Sequence, residues 1–439
     1  MKFRTTAALL LSAAATWTVF AACPAAAQMG GAPPSSSSGS SSHSSSGKPH
    51  LSKSAGPDII DAQKMVQAKD FQGALAKLKT LQGTATDPYD VYVINRLIAA
   101  AAIGLNDMAT AAPAEEAAAD SPAMPDDDKK AMYHDALQLS AAVNQWPKTI
   151  DYGQKLAQLN GLDAQTVGIL AIAYYNTKDF AHAQQYAQQS VDLSKAAGQT
   201  PDPNALEIVL NSQVNQNNQS GASQTLEQMA VQNGTPEIWG QLIGNGFGAK
   251  GMGNSEALYL YRLLQLTGAM TPEYYKEYGN DASVLGYPTE AMKVMQQGIS
   301  AGKVSHSDVG AELAKATRDA QTDERSLPQI AASAEKSRTG EQDVKLGEDY
   351  WGYGRFADAE AAARRAMSKG GLKAPWEAPM LIGAAEIAQG KYADAIQTLS
   401  QVSGTEAVTK TAHLWTLYAQ AKQGPARAST AAPAQTPSQ

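Results

Sequence analysis

The sequence predicts an all-α protein, an α-solenoid of about ten degenerate helix-turn-helix repeats. Two patterns support this prediction. Helix-start signals are spaced 35 or 36 residues apart, and a large residue is repeatedly followed three positions later by a small one, usually alanine; the copies at Trp146 and Phe180 lie 34 residues apart and those at Pro288 and Phe356 lie 68 apart. Tandem hairpins give such periods because each hairpin buries its apolar face against the next one. The abundance of alanine and the scarcity of phenylalanine, with 6 residues, suit many close contacts between helices.

The helix-start signal is a threonine, a proline and an acid. It occurs at Thr200, Thr235 and Thr271. The hydroxyl can cap the helix, the proline stands at the first helical position, where its missing N–H costs nothing, and the acid faces the positive end of the helix. We therefore predict helices that begin at these three threonines.

The second pattern marks where two helices of a hairpin pack. A small residue lets the helices approach closely, and the large residue fills the gap beside it. We expect this packing at Phe71/Ala74, Met108/Ala111, Phe180/Ala183, Phe356/Ala359 and Tyr392/Ala395, with imperfect copies at Trp146/Thr149 and Pro288/Ala291.

Three segments resemble the tetratricopeptide repeat (TPR) family, whose unit is a helix-turn-helix of 34 residues. They are Leu346–Ala366, Ile382–Leu399 and Leu170–Ser190. The positions that match the family signature best are Leu346, Gly347, Tyr350, Phe356, Ala359 and Ala366. The resemblance covers nearly the whole folded span, and it implies an array in which each repeat contacts only its neighbours.

Two units depart from the pattern. The unit around Thr322 has Arg325 where the packing alanine is expected, and the unit around Asn254 lacks the leucine and tyrosine of the first helix. We expect these units to be distorted or displaced.

The N-terminus predicts export. Lys2 and Arg4 precede an apolar run and a small-residue cleavage site after Ala27, so residues 1–27 are typical of a signal peptide. The run is shorter than the roughly 20 residues of a membrane span. Cys23, the only cysteine, lies in a segment that resembles a bacterial lipobox, but Phe20 departs from that motif. We therefore expect a periplasmic or envelope-associated bacterial protein beginning at Gln28, with a lipoprotein anchored through Cys23 as the alternative.

Composition divides the mature chain into three parts. Residues 28–56 form a Ser/Gly-rich stretch that we expect to be a disordered tether, residues 57–422 are the predicted repeat array, and residues 423–439 are an expected disordered tail.

The charge of the chain bears on its partners. Lys and Arg number 35 against 42 Asp and Glu, for a net charge of −7. This balance disfavours nucleic acid as a partner. No transmembrane segment is expected in the mature chain.

A glycine-rich stretch, Gly246–Gly251, matches the G-x-G-x-x-G spacing of dinucleotide-binding loops. No predicted strand precedes it, and the apolar pattern is helical on both sides, so we expect a turn between two helices. We attribute the glycines, including Gly240 and Gly244, to close packing. The alternative is a ligand pocket in the unit 239–261, framed by Trp239 and Phe247, in an enzyme or a solute-binding protein.

The sequence contains no other motif typical of a catalytic or metal-binding site. It lacks the common metalloprotease, hydrolase and phosphate-loop motifs. The histidines of the array, His134, His182, His306 and His413, are scattered, and Asp126–Asp128 lack the spacing of a calcium loop and suit an acidic helix start. We expect no catalytic residue, no metal and no cofactor.

The TPR resemblance implies that function lies on the concave face, which first helices line. This face, with one aromatic from the glycine-rich unit, gives the candidate partner-binding residues His134, Gln138, Tyr175, Asn176, Asn211, Asn215, Trp239, Asn280 and Trp351. Polar, mostly uncharged side chains with aromatics among them suit a peptide backbone or sugar hydroxyls. We therefore predict a non-catalytic scaffold that binds envelope proteins or peptide segments, or a polysaccharide. By analogy, its contexts are polysaccharide export, outer-membrane assembly or wall synthesis.

Overall fold

The computed structural model describes residues 49–424. In this range the chain forms twenty α-helices and one short 3-10 helix, and no β-strand. The all-α prediction is confirmed. The predicted signal peptide, the tether as far as residue 48 and the tail from residue 425 lie outside the described residues.

The chain divides into two compact units, with the boundary between Asn218 and Gln219. Unit 1 contains nine helices: α1 (Gly56–Gln67), α2 (Phe71–Gln82), α3 (Pro88–Gly104), α4 (Met108–Ala119), α5 (Lys129–Ala142), α6 (Trp146–Gln158), α7 (Ala164–Asn176), α8 (Phe180–Ala196) and α9 (Pro203–Asn215). The 3-10 helix, Asp126–Asp128, leads directly into α5, as expected of an acidic helix start.

Unit 2 contains the other eleven helices of the described range. They are α10 (Gln219–Asn233), α11 (Pro236–Gly244), α12 (Asn254–Thr267), α13 (Pro272–Leu285), α14 (Pro288–Ser300), α15 (His306–Lys336), α16 (Glu341–Tyr353), α17 (Phe356–Lys369), α18 (Glu377–Ala388), α19 (Tyr392–Leu399) and α20 (Glu406–Gln423). None of the described helices combines the length and the apolar character needed to cross a membrane.

The predicted packing pairs recur as one structural motif. In all seven, the large residue is the first residue of a second helix (α2, α4, α6, α8, α14, α17 or α19), and the small residue three positions later has an exposed fraction of 0%. Two positions before each of these helices the backbone is left-handed, at Lys69, Asn106, Asn144, Lys178, Gly286, Gly354 and Gly390. The shared turn explains the period, because it reverses the chain tightly and seats the small residue against the first helix.

A left-handed residue, Asn217, also stands two positions before α10, which begins with a glutamine where the pattern has a large residue.

The threonine caps are confirmed at two of the three predicted helix starts. Thr235 Oγ1 accepts a hydrogen bond from the backbone N–H of Ile238, and Thr271 Oγ1 accepts one from Tyr274. The prediction at Thr200 was wrong, because α9 begins at Pro203 and the Asp202 carboxylate caps it. An aspartate followed by proline fulfils both requirements of a helix start, so it displaces the threonine two residues earlier.

Both units that depart from the repeat pattern are distorted. A single 31-residue helix, α15, runs through Thr322, where the pattern predicts a hairpin. No glycine or asparagine stands near Thr322 to adopt the left-handed turn, and Arg325 lies exposed on the uninterrupted helix. Near Asn254, the short helix α11 is joined to α12 by the nine-residue connection 245–253.

The glycine-rich connection forms hydrogen bonds with α20, the last helix of unit 2. Lys410 Nζ donates to the carbonyl of Asn245 at 3.0 Å, and the N–H of Ala407 donates to the carbonyl of Lys250 at 3.2 Å. Deeper in the unit, Trp415 Nε1 donates to the carbonyl of Tyr259 at 3.0 Å. The predicted turn is confirmed. The expectation that each repeat contacts only its neighbours was wrong in unit 2, since α20 packs on α10 and α12.

Candidate partner-binding site

Six of the nine predicted binding residues lie in unit 1, and all six are at least partly exposed. They belong to three first helices, α5, α7 and α9, of which α7 contacts both α5 and α9. Each helix buries its flanks and leaves a narrow stripe of half-buried or exposed residues. We call this surface the first-helix strip; it comprises His134, Gln138, Tyr175, Asn176, Asn211 and Asn215.

The asparagines of the first-helix strip share one hydrogen-bonding pattern. The side-chain N–H of Asn176 donates to the carbonyl of Ile172 at 2.8 Å. Asn211 and Asn215 donate in the same way to carbonyls four residues earlier, each at 2.7 Å. Because the amide nitrogen is engaged with its own helix, the amide oxygen is left as a hydrogen-bond acceptor.

The histidine of the strip is held by two neighbours. His134 Nδ1 lies 3.2 Å from Asp135 Oδ1, and its Nε2 lies 3.1 Å from the amide nitrogen of Gln138. The hydrogen bond to Asp135 raises the pKa of His134, although burial opposes this. A neutral imidazole would donate from Nδ1 to Asp135 and accept from Gln138 at Nε2.

Tyr175 provides the aromatic part of the strip. Its half-buried ring packs edge-on against Phe180, with the ring centroids 5.6 Å apart. Burial raises the pKa of the phenol. The ring is therefore fixed at the surface, where it can stack on a partner group at little cost in side-chain entropy.

Charged groups outside the nine predicted binding residues lie beside α5. Arg96 Nη1 is 3.3 Å from Asp128 Oδ2 and 3.3 Å from the hydroxyl of Tyr92, which itself donates to Asp128 at 2.6 Å. Glu115, on α4, is buried near Arg96 and Asp135. Helical spacing could have revealed Glu115, because residues three and four positions away on either side are all alanines that are buried.

The three remaining candidates belong to unit 2. Asn280 is exposed, whereas Trp239 and Trp351 have exposed fractions of only 4% and 8%. Trp239 packs edge-on against Tyr418 with centroids 5.6 Å apart, and Trp351 covers the guanidinium of Arg262 at 4.8 Å. Both tryptophans therefore pack inside the unit in this structure. Binding by any of the nine candidates remains a prediction.

Arg262 lies at the centre of a buried ionic network in unit 2. Its guanidinium, fully buried, forms two hydrogen bonds of 2.7 Å with Glu290 and an ion pair of 2.7 Å with Glu348. The hydroxyls of Tyr278 and Tyr259 donate to Glu290 and Glu348 respectively. The network links α12, α13, α14 and α16. Because solvent does not reach it, its role in this structure is to hold these helices together.

Comparisons with known proteins give only weak matches. No protein-family model and no curated protein matches the chain. Similar solved structures include the C-terminal part of a TPR repeat-containing protein from Cytophaga hutchinsonii, at 12% identity and a TM-score of 0.32, covering 60% of this chain and 93% of that one. The TPR2AB domain of yeast Sti1, in a complex with pHSP90, has 14% identity, a TM-score of 0.22 and coverage of 68% and 100%. Maize pentatricopeptide repeat protein PPR10 has 14% identity, a TM-score of 0.29 and coverage of 83% and 62%.

Because these scores are low, the fold assignment rests on the hairpins themselves. Their recurrent turn and their fully buried small residue make the repeats TPR-like.

Proposed function

We propose that the protein is a non-catalytic binding scaffold and that the first-helix strip of unit 1 holds a peptide segment of its partner. The observation that supports this function is that six polar and aromatic side chains, all at least partly exposed, lie on three successive first helices, of which the middle one contacts the other two. Amide oxygens accept hydrogen bonds from a peptide backbone, and the ring of Tyr175 covers an apolar side chain. A polysaccharide, which presents hydroxyl donors, is the second ligand class that the same acceptors fit.

A matched pair of variants tests this function. Immobilised protein carrying Gln138→Ala and Asn211→Ala should recover roughly tenfold less of its partner from an envelope extract than the wild type, because two contacts are removed from the strip. The control carries Gln158→Ala and Gln185→Ala, which are exposed on the second helices α6 and α8. Equal recovery by the two variants would contradict the assignment of the strip.

The proposed compartment is the periplasm or the surface of an envelope membrane. The proposal rests on the signal-like residues 1–27, which lie outside the described range. Cell fractionation should find the protein in the envelope fractions, and mass spectrometry of its N-terminus should find either Gln28 or an acylated Cys23. A cytosolic protein that retains Met1 would contradict it.

A further inference from the structure

We propose that two copies of the chain pair through the exposed face of α8, with the two helices antiparallel about a two-fold axis. This inference goes beyond the proposed function, because it concerns a second helix of unit 1 and not the first-helix strip. A paired scaffold would present two strips to its partner and would gain avidity from them.

A groove of about 810 Å³ follows the exposed face of α8. Its lining extends from Ala181 to Ala196, a length of about 22 Å or four turns of helix. The nine residues that line it all belong to unit 1; eight lie on α8, and Gln216, just after α9, forms one wall. The helices α7 and α9 pack against α8. The groove is therefore the face of α8 that these neighbours leave open.

The lining of the groove favours a protein helix over other classes of ligand. None of the described residues that line it is aromatic, so a sugar would find no ring to stack on. None of them is basic, so a phosphate group would find no cation. A straight face of alanine and glutamine, four turns long, fits the side of another α-helix lying alongside.

Polar groups on this face remain available to a second helix. Gln185, Gln189 and Asp192 are exposed. Gln188 Nε2 donates to Asp192 Oδ1 at 2.9 Å, which fixes the carboxylate and leaves Oδ2 open. None of the described residues forms a hydrogen bond with the side chains of Gln185 and Gln189. The face thus offers two free amides and one free carboxylate oxygen.

These groups are self-complementary in an antiparallel pair. When the two-fold axis passes beside the middle of α8, between Gln188 and Gln189, each residue lies level with the residue of the other copy that is equally far from the middle. Gln185 and Asp192 are two turns apart, so both lie along the same line of the face. Gln185 of each copy therefore faces Asp192 of the partner subunit. Both pairs can form a charge-assisted hydrogen bond from the amide to the carboxylate.

The rest of the face is compatible with the same arrangement. Ala181 lies level with Ala196 of the partner subunit, and these small side chains let the helices approach closely at both ends. Gln189 meets its own copy across the axis, where two amides can donate to each other. The two copies of Asp192 are about 10 Å apart along the helices, so like charges are not opposed. The face therefore matches a second copy of itself.

We expect the pair to be weak and reversible, because one pair of helices buries less surface than the roughly 1,200–2,000 Å² of a stable interface. Cysteine crosslinking captures such pairs and tests their register. All variants carry Cys23→Ser, since Cys23 is the only cysteine of the chain. On mild oxidation, Gln189→Cys should give a disulfide-linked dimer by itself, because this residue meets its own copy.

A mixing experiment makes the register test specific. Gln185→Cys alone and Asp192→Cys alone should stay monomeric, because each residue lies about 10 Å along the helix from its own copy. An equimolar mixture of the two variants should give the mixed dimer. Gln158→Cys, exposed on α6, measures the background of chance collisions. Yields at or below this background for both Gln189→Cys and the mixture would overturn the proposal.

A charge exchange tests the pair in solution without a crosslink. Gln189→Glu and Gln189→Arg each place two like charges across the axis, so each variant should associate with itself roughly tenfold more weakly than the wild type in sedimentation equilibrium. Mixing the two variants should restore association, which a folding defect could not do. Gln158→Arg, the matched control on α6, should associate like the wild type. No loss in the single variants, or no recovery on mixing, would contradict the pairing.

The outcomes are separate from those of the proposed function, because α8 carries no residue of the first-helix strip. Gln185→Ala, which is part of the control for the strip, should weaken pairing and leave recovery of the extract partner unchanged. Absence of pairing overturns this inference even if the strip variants lose their partner. Pairing in the predicted register supports it even if the strip variants retain theirs.

Discussion

At the scale of single residues, burial decides what a charge contributes. Arg262 is enclosed with Glu290 and Glu348, and the rings of Tyr259 and Trp351 cover its guanidinium at 5.0 and 4.8 Å. Removing one member of such a group leaves the others as unpaired charges in a medium that solvates them poorly. Exposed ion pairs, which water screens, contribute little.

Replacement of Arg262 by alanine should therefore destabilise unit 2 by about 3–5 kcal/mol, because Glu290 and Glu348 would lose their cation. Arg355→Ala is the matched control. It removes an exposed pair with Asp358 and should cost about 0–1 kcal/mol. Urea denaturation followed by circular dichroism measures both changes. Similar losses for the two variants would show that the buried network does not stabilise the unit in the way its geometry indicates.

At the scale of helices and turns, the glycines of the connection between α11 and α12 differ in how strictly their surroundings and backbone conformation require glycine. Gly246 is enclosed, and an added Cβ would lie 2.8 Å from the carbonyl of Ile243. Gly251 has a φ of +88°, which favours glycine. Gly248 has neither constraint, since an added Cβ would meet only the carbonyl of Asn245 at 3.8 Å.

Gly248→Ala should accordingly leave the protein as stable as the wild type or up to about 1 kcal/mol more stable. The reason is that alanine has less conformational entropy than glycine in the unfolded chain, so less is lost on folding. Gly251→Ala should destabilise it by about 1 kcal/mol or more, through strain at positive φ. Thermal unfolding measures both. NAD, ATP and GTP should not shift the Tm of the wild type, and a saturable shift that Gly248→Ala abolishes would favour the nucleotide-pocket alternative.

Much at this scale could be predicted from the sequence, and particular residues show where prediction ended. Ala74 or Ala359 could be recognised because the turn and the packing position lie within a few residues of each other. The burial of Trp239 could not be recognised, because it depends on Tyr418, which is remote in sequence. Arg262 likewise depends on partners 28 and 86 residues away. The exposure of the polar residues of the strip could be predicted because the first helices α5, α7 and α9 leave the corresponding positions at least partly exposed.

At the scale of the whole molecule, the two units differ in how regularly their hairpins repeat. Unit 1 is a regular succession of hairpins, in which the first helices leave one polar surface exposed. Unit 2 interrupts the pattern with the long helix α15, and its last helix returns to α10 and α12. Contacts between segments remote in sequence should make unit 2 unfold more cooperatively than a chain of independent neighbours.

The central claim is that the first-helix strip of unit 1 binds a partner, and photo-crosslinking in living cells tests it most directly. The photoreactive residue p-benzoylphenylalanine is introduced at Gln138 or Asn211 on the strip, or at Gln158 on a second helix. We predict that illumination gives a discrete crosslinked product from both strip positions and none from Gln158. Products from Gln158 with none from the strip would contradict the claim.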